Sequence, residues 1–321
     1  MEKRVSIALV CVAICALAMS ITSNAQAQIL MQNLGNLSQT LFESDFYDGN
    51  IYEFTPGGAQ STFASGLSGP TGLAFDSAGN LFAGDVVPGY SGYIYKFTQG
   101  RAQSTFASAL SDPNIPTGID PFDLAFDNAG NLFEADLYIG SIYKYTPGGA
   151  LSTFAAGLGF DGSYGLAFDS AGNLFVSDYY IGYVFKFTPG GVRSTFATGL
   201  NGPAGLAFDS AGNLFETDEL SGNIYEFTPG GTRSTFATGL NDPAGLAFDS
   251  AGNLFESDRG SGHIYEFTTN GTQSTFATGL TNPGFLAFQP VPEPSTWSLL
   301  AMGAVALLGG CRLHRSRNRD R

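Results

Sequence analysis

The chain has 321 residues, 43 of them Gly and 28 Phe, with 13% charged residues and a formal net charge of −14. A hydrophobic content of 43% suffices for a packed core and argues against an intrinsically disordered chain. Residues 28–290 hold 7 Lys+Arg against 25 Asp+Glu, a balance that repels nucleic acid and anionic lipid and tolerates neutral or cationic ligands.

In chain order, the first predicted element is an export signal. Lys3 and Arg4 precede an apolar run from Val5 to Met19, and Ala25-Gln26-Ala27 offers a small-x-small cleavage site. This predicts a secretory signal peptide over residues 1–27. Cys11 and Cys15 fall inside it, which leaves Cys311 alone in the mature chain. No internal disulfide is available, so the fold depends on packing.

A repeat follows. Residues 205–244 read GLAFDSAGNLFETDELSGNIYEFTPGGTRSTFATGLNDPA, and residues 245–284 nearly duplicate them. A period near forty marks propeller blades or a solenoid. Each unit holds four short runs rich in aromatic and β-branched residues, separated by turn residues, with no helical periodicity. In the 205 unit these are LAF, LFETD, NIYEF and STFAT, and we name them strands a to d. The DSAGN stretch suits a tight a–b turn, and TPGG predicts a type II turn between c and d. The first unit, starting at Leu41, lacks its LAF run, and the chain supplies a surplus one near Phe285–Phe288. The predicted fold is therefore all-β: a six-bladed β-propeller of four-stranded antiparallel blades over residues 34–290. A C-terminal innermost strand closes the ring and leaves no open end to cap. The pattern P-x-G-L-A-F-D-x-x-G-N-L-F-x-x-D…G-x-I-Y-x-F resembles the NHL repeat. It is also similar to the repeats of gluconolactonase-like and strictosidine-synthase-like six-bladed propellers. The resemblance implies the propeller fold, with relatives that include ligand-binding modules, scaffolds and hydrolases.

The repeat breaks in a consistent way. In an antiparallel meander the b–c and d–a loops share one face. The length changes are VVPGYSGY at residues 86–93, the stretch at 111–122 within SDPNIPTGIDPFD, and GFDGSY at 159–164, and all fall on that face. Such loops carry binding residues most often. The candidate ligand-binding residues are Tyr90, Asp112, Asp120, Phe122, Asp123, Tyr138, Phe160, Asp161, Tyr164 and Tyr180, accompanied by Phe46, Tyr47 and Tyr179. Aromatic faces beside carboxylates suit a sugar or peptide. Asp123 replaces the Gly of sister blades (Gly72, Gly165, Gly205, Gly245), as does Phe285, and it is expected near the mouth of the central channel. The acids that recur in every blade, Asp45, Asp85, Asp136, Asp178, Asp218 and Asp258, are expected to satisfy turn amides.

Catalytic signatures are scarce. The repeats contain one histidine, His263, no G-x-S-x-G, and no His/Cys cluster of zinc type. The expected activity is therefore binding rather than catalysis, with no catalytic residue, metal or cofactor assigned. The alternative is a metal-dependent lactonase of the gluconolactonase-like type, with a divalent ion at the channel mouth. Asp120 and Asp123 are its only candidates as ligands.

The tail reads VPEPSTWSLLAMGAVALLGGCRLHRSRNRDR, residues 291–321. Pro292-Glu293-Pro294, an uncharged stretch from Ser295 to Cys311 and five Arg residues follow in that order. The stretch is near the lower length limit for a membrane helix, and the Arg cluster predicts that the tail end stays in the cytoplasm. The tail resembles the PEP-CTERM sorting signal. That resemblance implies export from a Gram-negative bacterium and processing by an exosortase. It also implies tethering to the inner membrane before release to the periplasm, cell surface or matrix, often in an exopolysaccharide-making context. The expected role is a surface-directed module that binds a polysaccharide or protein partner.

Overall fold

The structure, a computed structural model, describes residues 39–87, 92–108, 120–136, 140–158 and 165–290. The predicted signal segment and sorting tail lie outside the described residues. Among those described there are 24 strands in six four-stranded antiparallel sheets, and no helix long and apolar enough to cross a membrane. The innermost strands, a, neighbour one another in sequence around the ring. This is the six-bladed propeller expected from the repeat.

Blade 1 is shared between the two ends of the ring. Its strands run in the order Pro283–Phe288, Leu41–Asp45, Asn50–Phe54, Gln60–Ser65. Leu41 faces Phe288, Phe42 faces Ala287 and Glu43 faces Leu286 in the closing pair. The other five blades are consecutive: blade 2 from Pro70 to Ser108, blade 3 from Pro121 to Ala155, blade 4 from Leu166 to Ala197, blade 5 from Pro203 to Thr238 and blade 6 from Pro243 to Thr278. In blades 1, 2, 3, 5 and 6, strand a starts at a proline ahead of the LAF run. Phe122 consequently belongs to strand a of blade 3 rather than to the loop before it, and Asp123 lies in that strand as expected.

The c–d turn differs from the sequence expectation. In Thr55-Pro56-Gly57-Gly58 the Gly58 N–H donates to Thr55 O at 2.8 Å, and Gly58 rather than Gly57 holds the positive φ, +77°. This is a type I turn followed by a left-handed residue, not type II. That combination matches the right-handed twist of the flanking strands, which a type II turn would splay. The DSAGN turn uses the same geometry. Its Asp76 Oδ1 accepts from Ala78 N at 3.0 Å and from Asn80 N at 2.8 Å.

Phenylalanine joins the blades. Each strand b carries one buried ring that meets, edge to face, the strand d ring of its own blade and the strand a ring of the next. Phe82 lies 5.0 Å from Phe106 and 5.1 Å from Phe126. The same triad recurs at all six junctions, ending with Phe255, 4.9 Å from Phe276 and 5.0 Å from Phe288. Edge-to-face pairs add about 0.5–1.5 kcal/mol beyond burial, so each junction gains twice.

Near the axis the blades approach too closely for side chains. A Cβ on Gly205 would lie 2.2 Å from Ala244 O, and one on Gly245 would lie 2.4 Å from Gly284 O. Gly205→Ala is therefore expected to lower stability by about 1–3 kcal/mol, the usual cost of overpacking. Gly57→Ala, with nothing within 4 Å, is the control. Equal denaturation midpoints for the two variants would contradict this close approach.

Candidate functional site at the channel mouth

Neighbouring b–c and d–a connections are joined on one face. Val86 N donates to Gly69 O at 2.9 Å, Glu219 N to Gly202 O at 2.9 Å and Arg259 N to Asp242 O at 3.1 Å. Each of these bonds ties a b–c loop to the adjacent d–a loop. The strand b acids anchor the same junctions, as expected: Asp85 Oδ1 accepts from Ser68 N and Gly69 N, and Asp45 Oδ2 accepts from Thr281 N and Asn282 N. Exposed apolar side chains collect here too. Tyr47 (72% exposed), Tyr180 (65%), Leu220 (61%), Ile181 and Phe46 all sit in b–c loops.

Below this face, hydroxyl groups belt the axis. Ser177 Oγ accepts from Gly165 N at 2.8 Å and donates to Ala204 O of the next blade at 2.6 Å. Thr217 accepts from Gly205 N and donates to Ala244 O, both at 2.7 Å. Ser257 does the same between Gly245 N and Gly284 O. Blade 2 has Gly84 in this position, and Thr71 Oγ1 takes over by donating to Pro121 O at 2.6 Å. Blade 3 has Ala135 there, and Asp123 takes over. Its Oδ1 accepts from Leu124 N and its Oδ2 from Leu166 N of blade 4, both at 2.7 Å.

Among the sequence candidates, Asp123 thus lies near the axis as expected, but it is buried and both carboxylate oxygens are engaged by backbone. Burial pushes its carboxyl up to about 7. Asp120 is also buried, with Oδ1 unpartnered. Burial first and the Asp136 charge second raise it to about 6. Phe122 lines the channel mouth, its ring 5.1 Å from that of Phe285 at 79°. Tyr180 lies farther out, edge to face with Tyr179 at 5.2 Å. Tyr90, Asp112, Tyr138, Phe160, Asp161 and Tyr164 fall outside the described residues.

The mouth itself is a narrow pit, open to solvent, with enclosed room for about one water molecule. Its lining includes Phe122, Phe285, Arg259 and the backbone of Gly165, Gly205 and Gly245. Arg259 and its partners are the residues that sequence reasoning missed. Arg259 Nη1 donates to Glu219 Oε2 at 3.1 Å and lies 4.0 Å from Asp242 Oδ1. Tyr179 Oη donates to Glu219 Oε1 at 3.1 Å. Burial raises Glu219 to about 6 against the pull of Arg259, and burial together with Glu219 raises Tyr179 to about 12. A signal was present in the sequence. Arg259 is the only Lys or Arg of residues 39–290 outside strands c and d and their connections.

A second group was also missed. Glu43, Glu134, Glu216 and Glu256, the third residue of strand b in four blades, are fully buried. Glu43 Oε1 accepts from Gly284 N at 3.0 Å, whereas both oxygens of Glu134 and Glu216 have no partner. Burial raises all four well above the ordinary carboxylate range. For the lactonase alternative, no group of three or more His, Cys, Asp or Glu is placed to hold a metal ion among the described residues.

Residues 290–315 match the family model of the PEP-CTERM protein-sorting motif. The chain thus carries the signal that marks proteins for export in Gram-negative bacteria, for transient anchoring in the membrane and for exosortase-type processing. Curated proteins yield no match. Among solved structures, the fold is similar to a chain of the nidogen/laminin complex, with a TM-score of 0.68 and 19% identity over 79% of this chain and 99% of that one. It is also similar to virginiamycin B lyase from Staphylococcus aureus (TM-score 0.58, 14% identity, 75% and 84% covered). A third is a putative gluconolactonase (TM-score 0.56, 16% identity, 71% and 90% covered). At these identities the likeness is one of fold.

Proposed function

We propose that this exported propeller is a binding module that holds an extracellular partner, polysaccharide before protein, against its variable face. The observation that carries this reading is the gathering of exposed apolar side chains there. Among the described residues, five of the six large exposed hydrophobics, Phe46, Tyr47, Tyr180, Ile181 and Leu220, lie in its b–c loops. The opposite face keeps uniform turns. Tyrosine supplies contact area at low entropic cost and a hydroxyl for hydrogen bonding, which suits a hydroxyl-rich ligand.

The test is retention of the purified chain on envelope polysaccharide. Tyr47→Ser and Tyr180→Ser together are expected to weaken binding by about 2 kcal/mol or more if either ring is an anchor. Their melting temperature should stay that of the unaltered chain, because both side chains are exposed. Undiminished retention by the double variant would remove the support for this face.

A further inference from the structure

One c–d turn departs from its sisters in a way that packing does not require. Its third residue is glycine in five blades, Gly57, Gly100, Gly148, Gly190 and Gly230, and asparagine in blade 6, Asn270. None of the five glycines holds a positive φ, and a Cβ on any of them meets no atom closer than 3.8 Å. The turn therefore tolerates a side chain there without needing one. Asn270 completes the triplet Asn270-Gly271-Thr272, the one Asn-x-Ser/Thr sequence in residues 39–290. Blade 5 differs from it by a single residue, reading Gly230-Gly231-Thr232. Asn270 is exposed. Its Oδ1 accepts from Thr268 Oγ1 and, at 3.3 Å, from Thr272 N. Its Nδ2 has no acceptor among the described residues. The carbonyl end of the amide is held, and the nitrogen end is open to solvent.

We propose that Asn270 is the acceptor of an N-linked glycan, supplied by an activated sugar of the glycosyl diphosphate class. The pattern requires a hydroxyl residue two positions on, a middle residue other than proline, and a surface turn of an exported chain. Thr272, Gly271 and the blade 6 turn meet all three. In the transfer, Asn270 Nδ2 attacks the anomeric carbon. The new C–N bond forms as the C–O bond to the diphosphate breaks. The diphosphate leaves with the bonding pair, and Nδ2 gives up one proton to solvent. The c–d turns lie on the face opposite the variable loops. A glycan at Asn270 therefore adds solubilising bulk away from Tyr47 and Tyr180, and the site is independent of the binding reading above.

The test is mass spectrometry of peptides from the full chain, taken from the envelope of the bacterium that makes it. The peptide holding Asn270 is expected to carry added sugar mass. That mass should vanish in Asn270→Gly, which restores the residue of the other five blades. It should vanish equally in Thr272→Ala, which installs the residue that blades 1 to 3 carry as Ala59, Ala102 and Ala150, and persist in Thr272→Ser. Gly230→Asn should gain the same mass in blade 5, where a Cβ has room. All four variants should keep a cooperative melt, because the turn is exposed and each residue occurs or fits in a sister blade. An Asn270 peptide without added mass in the unaltered exported chain overturns the proposal, as does mass retained in Asn270→Gly or Thr272→Ala. The triplet Asn36-Leu37-Ser38 lies outside the described residues, and its peptide is read separately.

Discussion

Removing residues 284–290 is expected to lower the melting temperature by at least about 10 °C, or to abolish a cooperative melt. This segment supplies most of the strand that closes blade 1. It takes away Leu286, 7% exposed, and Phe288, whose ring meets Phe255. It also removes the ladder to Leu41–Asp45 and the Gln289 N to Thr40 O bond at 3.0 Å. Losing one buried Leu alone costs about 2–5 kcal/mol. Here a ladder and an aromatic triad go with it, and the newly bared edge belongs to strand b, whose five residues are all buried. A total stability of about 5–15 kcal/mol leaves little after such a loss, and each kcal/mol shifts the midpoint of a domain this size by about 2–4 °C. The measurement is calorimetry of chains with and without the segment. An unchanged melt would mean that the ring does not depend on this strand.

The second expected result is stabilisation by mild acid. Glu43, Glu134, Glu216 and Glu256 are raised well above 4.5, and Asp123 sits at about 7. A carboxyl raised in the folded state contributes fully below its unfolded value, near 4.5 for Glu. That contribution is lost as pH rises towards the folded value, because folding must then take up a proton. Each unit of separation is worth about 1.4 kcal/mol per group. The opposing groups are few: Asp76 and Asp169 are lowered, with hydrogen bonds from Asn80 and Asn173 outweighing desolvation. Their contribution is lost only towards the most acidic pH. The melting temperature is therefore expected to be several degrees higher at pH 5 than at pH 8. Glu216→Gln with Glu256→Gln should flatten that slope and raise the midpoint at pH 8, since an amide keeps the shape without the buried charge. A midpoint that climbs from pH 5 to pH 8 would show that these carboxyls fold ionised.

Local spacing along the chain encodes much of the architecture. The forty-residue period, the alternation of aromatic and β-branched runs with Asp-, Gly- and Pro-bearing turns, and one missing LAF run balanced by a surplus one specify six blades, their closure and the face on which loops vary. Turn position was legible, but turn type was not. TPGG is compatible with two geometries, and strand twist selects the one with Gly58 left-handed. Asp123 was visible as an exception to glycine, but its task was not. Only the folded ring shows that Ala135 lacks the hydroxyl used elsewhere and that the Asp123 carboxylate spans to Leu166 in its place. The same holds for Arg259 with Glu219 and Asp242, and for the buried glutamates in strand b. Each depends on which side chains from different strands or blades converge at the axis and on how completely water is excluded there. Partners set forty residues apart acquire their distance, burial and charge state only when the blades pack.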